Sequence, residues 1–150
     1  MNPDKLIRDC LGYSIFKHAD SNARRSTINS FKTGAVIFNE KTHGVEAVGT
    51  SHVPLNFRYD DSENAKRSIH AEDDALDKIR YADDKSIFSI FIYTLNWSGT
   101  NHATSSRPCP PCAERLLRAG LSHVYYVERD NVGSWIMVRC EPRHLIEQVA

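Results

Sequence analysis

"PCPPCAERLLRAGLSHVYYVE", residues 108–128, carries a helix and a strand in one run, and the rest of the chain can be placed around it. Pro110 and Pro111 suit the first turn of a helix, where the amide proton that proline lacks would have no partner anyway. The helix runs through "AERLLRA" and stops at Gly120. "HVYYVE", 123–128, is then a strand of β-branched and aromatic residues. Upstream, "SIFSIFIYTL", 86–95, is apolar on both faces and reads as a central strand. The polar stretch "NWSGTNHATSSR", 96–107, reads as the loop between them.

The pattern continues toward the N-terminus. Ala71, Ala75, Leu76 and Ile79 form one helical face, and Glu72, Asp73 and Asp74 put negative charge where the helix dipole favours it. "GAVIFN", 34–39, and "GVEAVGT", 44–50, read as a hairpin around "EKTHG", with Gly44 suited to the turn. Pro3 and the spacing of Leu6, Ile7, Cys10, Leu11 and Ile15 predict an opening helix up to about His18. In the tail, 134–139 reads as a short strand and "PRHLIEQVA" as a last helix. The order helix, hairpin, helix, strand, helix, strand predicts an α/β fold with a mixed sheet and helices on its faces.

Composition bounds the function. A chain of 150 residues can bury a core as one domain, 1–150, and 41% apolar with 25% charged residues is the balance of a folded globular protein. No apolar run reaches the length a bilayer needs, and "MNPDKLIRDCLGYSIFKH" is too charged for a signal peptide, so the expected location is the cytoplasm. Lys plus Arg, 19, equals Asp plus Glu, 19, so the chain lacks the basic excess that favours a polynucleotide partner. Cys10, Cys109, Cys112 and Cys140 in such a chain point to reduced thiols or a metal site rather than disulfides.

"HAE", 70–72, and "PCPPC", 108–112, both fall at predicted helix starts. Taken alone, His70 and Glu72 are an ordinary acidic first turn, and Cys-x-x-Cys has redox, structural-zinc and chance readings. Together, His-x-Glu followed by Pro-Cys-x-x-Cys is the signature of zinc deaminases, in which one histidine and two thiolates bind the metal and the glutamate does not. That assigns His70, Cys109 and Cys112 to Zn²⁺ and Glu72 to proton transfer. Three protein ligands leave a fourth position for water, as catalytic zinc sites do. The helix starts are expected to lower the thiol pKa values and favour thiolates.

On these residues the chain resembles the cytidine and deoxycytidylate deaminase superfamily, and within it the deoxycytidylate deaminases. "TGAVIFN" is similar to the family's first-strand "GAVIV", "RSIHAEDDAL" to its "R-x-I-H-A-E-x-N-A-[IL]" segment, and "PCPPCAERLLRAGLSHVYY" to its "PCxxCA" helix, turn and strand. The resemblance implies a three-layer α-β-α sandwich with a central mixed sheet of about five strands. It also implies a homo-oligomer, and a small-molecule nucleotide substrate, dCMP deaminated to dUMP, with the Ala71 N–H on the pyrimidine edge. Three departures fall where substrate is selected: "GTSHVP" stands where the family has an asparagine on the sugar, Asp74 replaces an asparagine, and the 96–107 loop is long.

Ser51 or His52 therefore stands in the asparagine's place. His102 also falls on a pocket loop, Trp97 can stack on a base, and Arg107, among Arg24, Arg25, Arg58 and Arg67, is the preferred phosphate ligand. His18, His43, His123 and His144 read as solvated. Two further readings are a deaminase of a base in tRNA or single-stranded DNA, or of a non-cytosine heterocycle, and a non-catalytic zinc protein.

Overall fold

Alternation along the two longest strands divides the molecule into layers. β1 (Phe31–Asn39) and β3 (Phe88–Asn96) pair antiparallel along their whole length. Val36, Phe38, Phe91, Tyr93 and Leu95 project to one side of the sheet and Ala35, Ile37, Ile90 and Ile92 to the other, each set into its own buried core. The computed structural model describes residues 2–28, 30–53, 69–96 and 102–147.

The first core is covered by α1 (Pro3–Leu11) and α2 (Tyr13–Arg24) through Ile7, Leu11, Ile15, Ala19 and Ala23. The second is covered by α3 (Ala71–Asp77), α4 (Pro110–Ala119) and α5 (Pro142–Glu147) through Ala71, Ala75, Ala113, Leu116 and Leu145. Between them the sheet runs β2-β1-β3-β5-β6, with β2 (Val45–Thr50), β5 (Val124–Arg129) and β6 (Trp135–Cys140). Among the described strands only β3 and β5 pair in parallel, joined by the crossover through α4; the other pairings are antiparallel. This is the mixed sheet with helices on its faces that the element order predicts, and the α-β-α sandwich that the resemblance implies.

Several boundaries differ from expectation, each for a local reason. The opening helix is two helices, because Gly12 takes φ 94, which a helix interior does not allow. The 96–107 stretch is not all loop: residues 102–104 form β4 (His102–Thr104), which extends the sheet beside the end of β3. The 3-10 turn Lys85–Ile87 delays β3 to Phe88, and α3 ends at Asp77, so Ile79 is buried from a turn. In the hairpin the left-handed residue is His43 (φ 60), not Gly44.

Gly49 sets the position of α3. A Cβ on Gly49 would lie 2.2 Å from the Ala71 carbonyl oxygen and 2.6 Å from the Ala75 nitrogen, so the first turns of α3 lie directly on the β2 backbone. Asp74 strengthens the contact by accepting the Thr50 N–H at 3.0 Å. In the family's asparagine position, Asp74 thus holds helix to strand.

Candidate active site

Two helices begin over the same end of the sheet, and both break a local rule there. The N-cap position favours Ser, Thr, Asp or Asn, whose side chain binds a free amide. Here His70 caps α3 and Cys109 caps α4, and neither side chain bonds its helix. Both turn to each other instead. His70 Nδ1 is 3.0 Å from Cys112 Sγ and 3.9 Å from Cys109 Sγ, and the three ligand atoms lie within 4.8 Å of one another. Ligands at zinc bonding distance in a tetrahedron stand roughly 3.5 Å apart. One imidazole and two thiols at this spacing fit Zn²⁺ with a position to spare.

Glu72, in the first turn of α3, is buried at 5% exposure. Burial pushes its carboxyl above the usual range; its own backbone N–H, the Cys112 thiol and His70 oppose that only in part. Burial likewise pushes the Cys112 thiol well up, with Glu72 and Cys109 adding to the effect. Burial thus opposes the lowering expected from the helix start, and a bound cation would favour the thiolate. Arg115, on α4, spans the two helices, donating Nη2 to Cys112 Sγ at 3.3 Å and Nε to Asp73 Oδ1 at 2.5 Å.

A cavity of about 230 Å³ opens beside this cluster, bounded by His70, Ala71, Glu72, Pro108 and Cys109. Its floor is the sheet. Ser51, at the end of β2, lines it, 8% exposed, as does Arg107. The Arg107 guanidinium itself donates to the Leu145 carbonyl at 3.1 Å. His52 does not line the cavity: its Nδ1 pairs with the Thr50 carbonyl at 2.8 Å, and its backbone bridges to Ile69. Trp97, Arg58 and Arg67 lie outside the described residues. His123, expected to be solvated, is half-buried, 2.7 Å from Ser122 Oγ.

The sequence reading missed the floor. Thr33 and Thr94 line the cavity and face each other across β1 and β3, with their hydroxyl oxygens 3.0 Å apart. A signal was present: along each strand every second residue is apolar, Ile37 and Ala35 on β1, Ile90 and Ile92 on β3, until the next one is threonine. The side chains turn polar where the helices begin and stop covering the sheet.

A family model described as the cytidine and deoxycytidylate deaminase zinc-binding region matches residues 13–128. Among solved structures the chain is similar to a cytidine deaminase from Burkholderia pseudomallei, at 14% identity and TM-score 0.60 over 88% of this chain and 93% of that one. It is similar to a dCMP deaminase from the cyanophage S-TIM5, at 21% identity and TM-score 0.56 over 99% and 94%. It also resembles a cytidine deaminase from Mycobacterium leprae, at 14% identity and TM-score 0.52 over 89% and 94%. These likenesses concern the fold. Comparison with curated protein sequences finds no match. No described helix is long and apolar enough to cross a membrane.

Proposed function

The chain belongs to the cytidine and deoxycytidylate deaminase zinc-binding family and is a zinc-dependent hydrolytic deaminase, and on that premise we propose that its substrate is free dCMP, converted to dUMP and ammonia. The observation that carries the reading is the convergence of the His70, Cys109 and Cys112 donors beside a buried Glu72 that is not one of them. The choice of dCMP within the family follows the likeness of "PCPPCAERLLRAGLSHVYY" and "RSIHAEDDAL" to deoxycytidylate deaminases.

His70, Cys109 and Cys112 hold the metal. Zinc, when bound, supplies a Lewis acid that makes water nucleophilic near neutral pH. Glu72 carries both protons: it takes one from the attacking water and gives it to the ring nitrogen, then takes the second from the newly added hydroxyl as the carbonyl forms and gives it to the amine, which leaves as ammonia. A carboxyl raised by burial takes up a proton more readily than a solvated one, which suits a group that must collect protons from water. The Ala71 N–H, at the first turn of α3, donates to the pyrimidine edge, and Ser51 meets the sugar. Of His52 and Arg107, Arg107 is the one at the cavity wall, and it would share its guanidinium between the Leu145 carbonyl and a phosphate; Trp97 is assigned to stacking on the base.

The domain spans 1–150 and acts on a soluble metabolite, so a cytoplasmic setting goes with it. Exposed Leu117 and Ile136 leave apolar surface for a second copy in a homo-oligomer, which mass in solution tests. The substrate assignment is tested by ammonia release from the zinc-loaded protein on dCMP, CMP, dCTP, deoxycytidine and a deoxycytidine-containing single strand, with Glu72→Ala as blank. Turnover dominated by dCMP is expected. Preference for deoxycytidine or for the strand would replace dCMP as substrate.

A further inference from the structure

Hydroxyl groups on the cavity floor leave two protons without an acceptor among the described residues. A serine or threonine hydroxyl has one proton to donate and two lone pairs to accept with. In the Thr33 and Thr94 pair, 3.0 Å apart, one hydroxyl donates to the other, and the accepting one keeps its own proton. Thr94 is 9% exposed and lines the cavity. A second pair lies beside it. Ser51 Oγ, 8% exposed, accepts the Thr33 N–H at 3.0 Å and stands 2.7 Å from Ser26 Oγ, which is 4% exposed and accepts the Ile28 N–H at 3.2 Å. When Ser26 donates to Ser51, both Ser51 lone pairs are filled and its proton points to the cavity it lines.

Buried donors of this kind cost free energy unless something accepts from them. A ligand that displaces water from this cavity has to accept from them in its place, and they are uncharged donors while the cation at the cavity wall is Arg107. A phosphate is matched by the Arg107 guanidinium, whereas a pentose brings several uncharged oxygens to the hydroxyls. We propose that the Thr33–Thr94 pair, with the Ser26–Ser51 pair, is the sugar-binding floor of this site and sets its preference for a nucleoside unit over a bare base. The inference rests on the deaminase reading above, which uses Ser51 alone among these hydroxyls, and extends it to Thr33, Thr94 and Ser26.

The test uses the zinc-loaded full chain and the variants Thr94→Val, Thr33→Val and Ser51→Ala, with Thr94→Ser as the conservative control. kcat/KM is measured on dCMP, on deoxycytidine, and on 1-methylcytosine, which keeps the ring and removes the sugar. Loss of one hydrogen bond to the sugar is expected to raise KM about tenfold on dCMP and deoxycytidine, with kcat, zinc content and 1-methylcytosine activity held and Thr94→Ser near wild type. Equal losses on all three substrates would make the floor structural and overturn the inference. Loss on dCMP with deoxycytidine unaffected would move the hydroxyls to the phosphate and overturn it as well. Calorimetric binding of deoxyuridine is run alongside to separate this from the deaminase reading. If wild type deaminates none of the three, tenfold weaker deoxyuridine binding by Thr94→Val still supports a sugar floor. Undetectable binding by wild type, or equal binding by the two, overturns it.

Discussion

Glu40 and Glu72 are both withdrawn from solvent, yet the protein holds them in opposite ways. The Glu40 side chain, 20% exposed, sits at the far end of the sheet from the cavity, where Tyr125 donates to it at 2.6 Å, Arg139 at 2.7 Å, and Ser89 on its other oxygen. Burial pushes its carboxyl up, but those three hydrogen bonds and the Arg139 charge outweigh burial and hold it below the usual carboxylate range. In return Tyr125, buried and bonded to Glu40, is pushed up to about 12. Glu72 is the more deeply buried, and its few partners leave burial dominant. A carboxylate with donors on both oxygens is a fixed charge that ties strands together. A carboxyl short of partners beside a cavity can exchange a proton, which is the property catalysis needs.

Glu72→Ala tests this contrast with the largest expected effect. Turnover falls by about 10²- to 10⁴-fold, the range of general acid–base catalysis, while zinc content and thermal midpoint stay at or above wild type because an under-partnered buried acid has been removed. Ammonia release, metal analysis and a melting curve check all three. Loss of zinc in this variant would make Glu72 a ligand and end the contrast. Cys112→Ala separates the roles from the other side: zinc content and the thermal midpoint fall together, because metal binding and folding are coupled. A metal-replete, stable Cys112→Ala protein would remove it from the ligand set.

The arginines repeat the contrast on a smaller scale. Arg139 gives its N–H groups to Glu40 and Tyr125, whereas Arg115 divides its own between the Asp73 carboxylate and Cys112 Sγ. Partners of a ligand atom commonly tune metal affinity by about 10- to 100-fold. Arg115→Gln is accordingly expected to release zinc to a chelator about tenfold faster, with the fold retained by circular dichroism. An unchanged release rate would reduce the Arg115 contact to a surface ion pair.

The metal cluster was legible in the sequence because each half is a local event: a helix start after a fixed spacing puts its ligand at the same end of the sheet. The two cores were legible through the period-2 runs of β1 and β3. The floor was not, because Thr33 and Thr94 are 61 positions apart and meet only through strand register. Nor was the role of Gly49, since the need for a missing Cβ appears only when α3 lies on it. β4 went unseen for a similar reason. Its three residues are unremarkable in sequence and become a strand because the end of β3 offers free backbone groups.

Glu40 gives the smallest effect and the clearest sign. Because its folded pKa lies below that of an unfolded glutamate, about 4.3, folding favours its charged form. The resulting stability is fully present above that unfolded value and is lost as pH falls through the folded one. Glu40→Gln keeps the shape and removes the charge, leaving Tyr125 and Arg139 with a weaker acceptor, so it should cost about 1–3 kcal/mol at neutral pH. As pH falls through the folded value, which lies below about 4.3, the wild-type carboxyl itself becomes neutral, so the two stability curves should converge with acid, the variant showing the shallower acid limb. Urea midpoints from pH 7 down to pH 3 measure the gap. A gap that is constant with pH would mean that packing rather than charge holds this corner, and Glu40 would no longer be the saturated counterpart of Glu72.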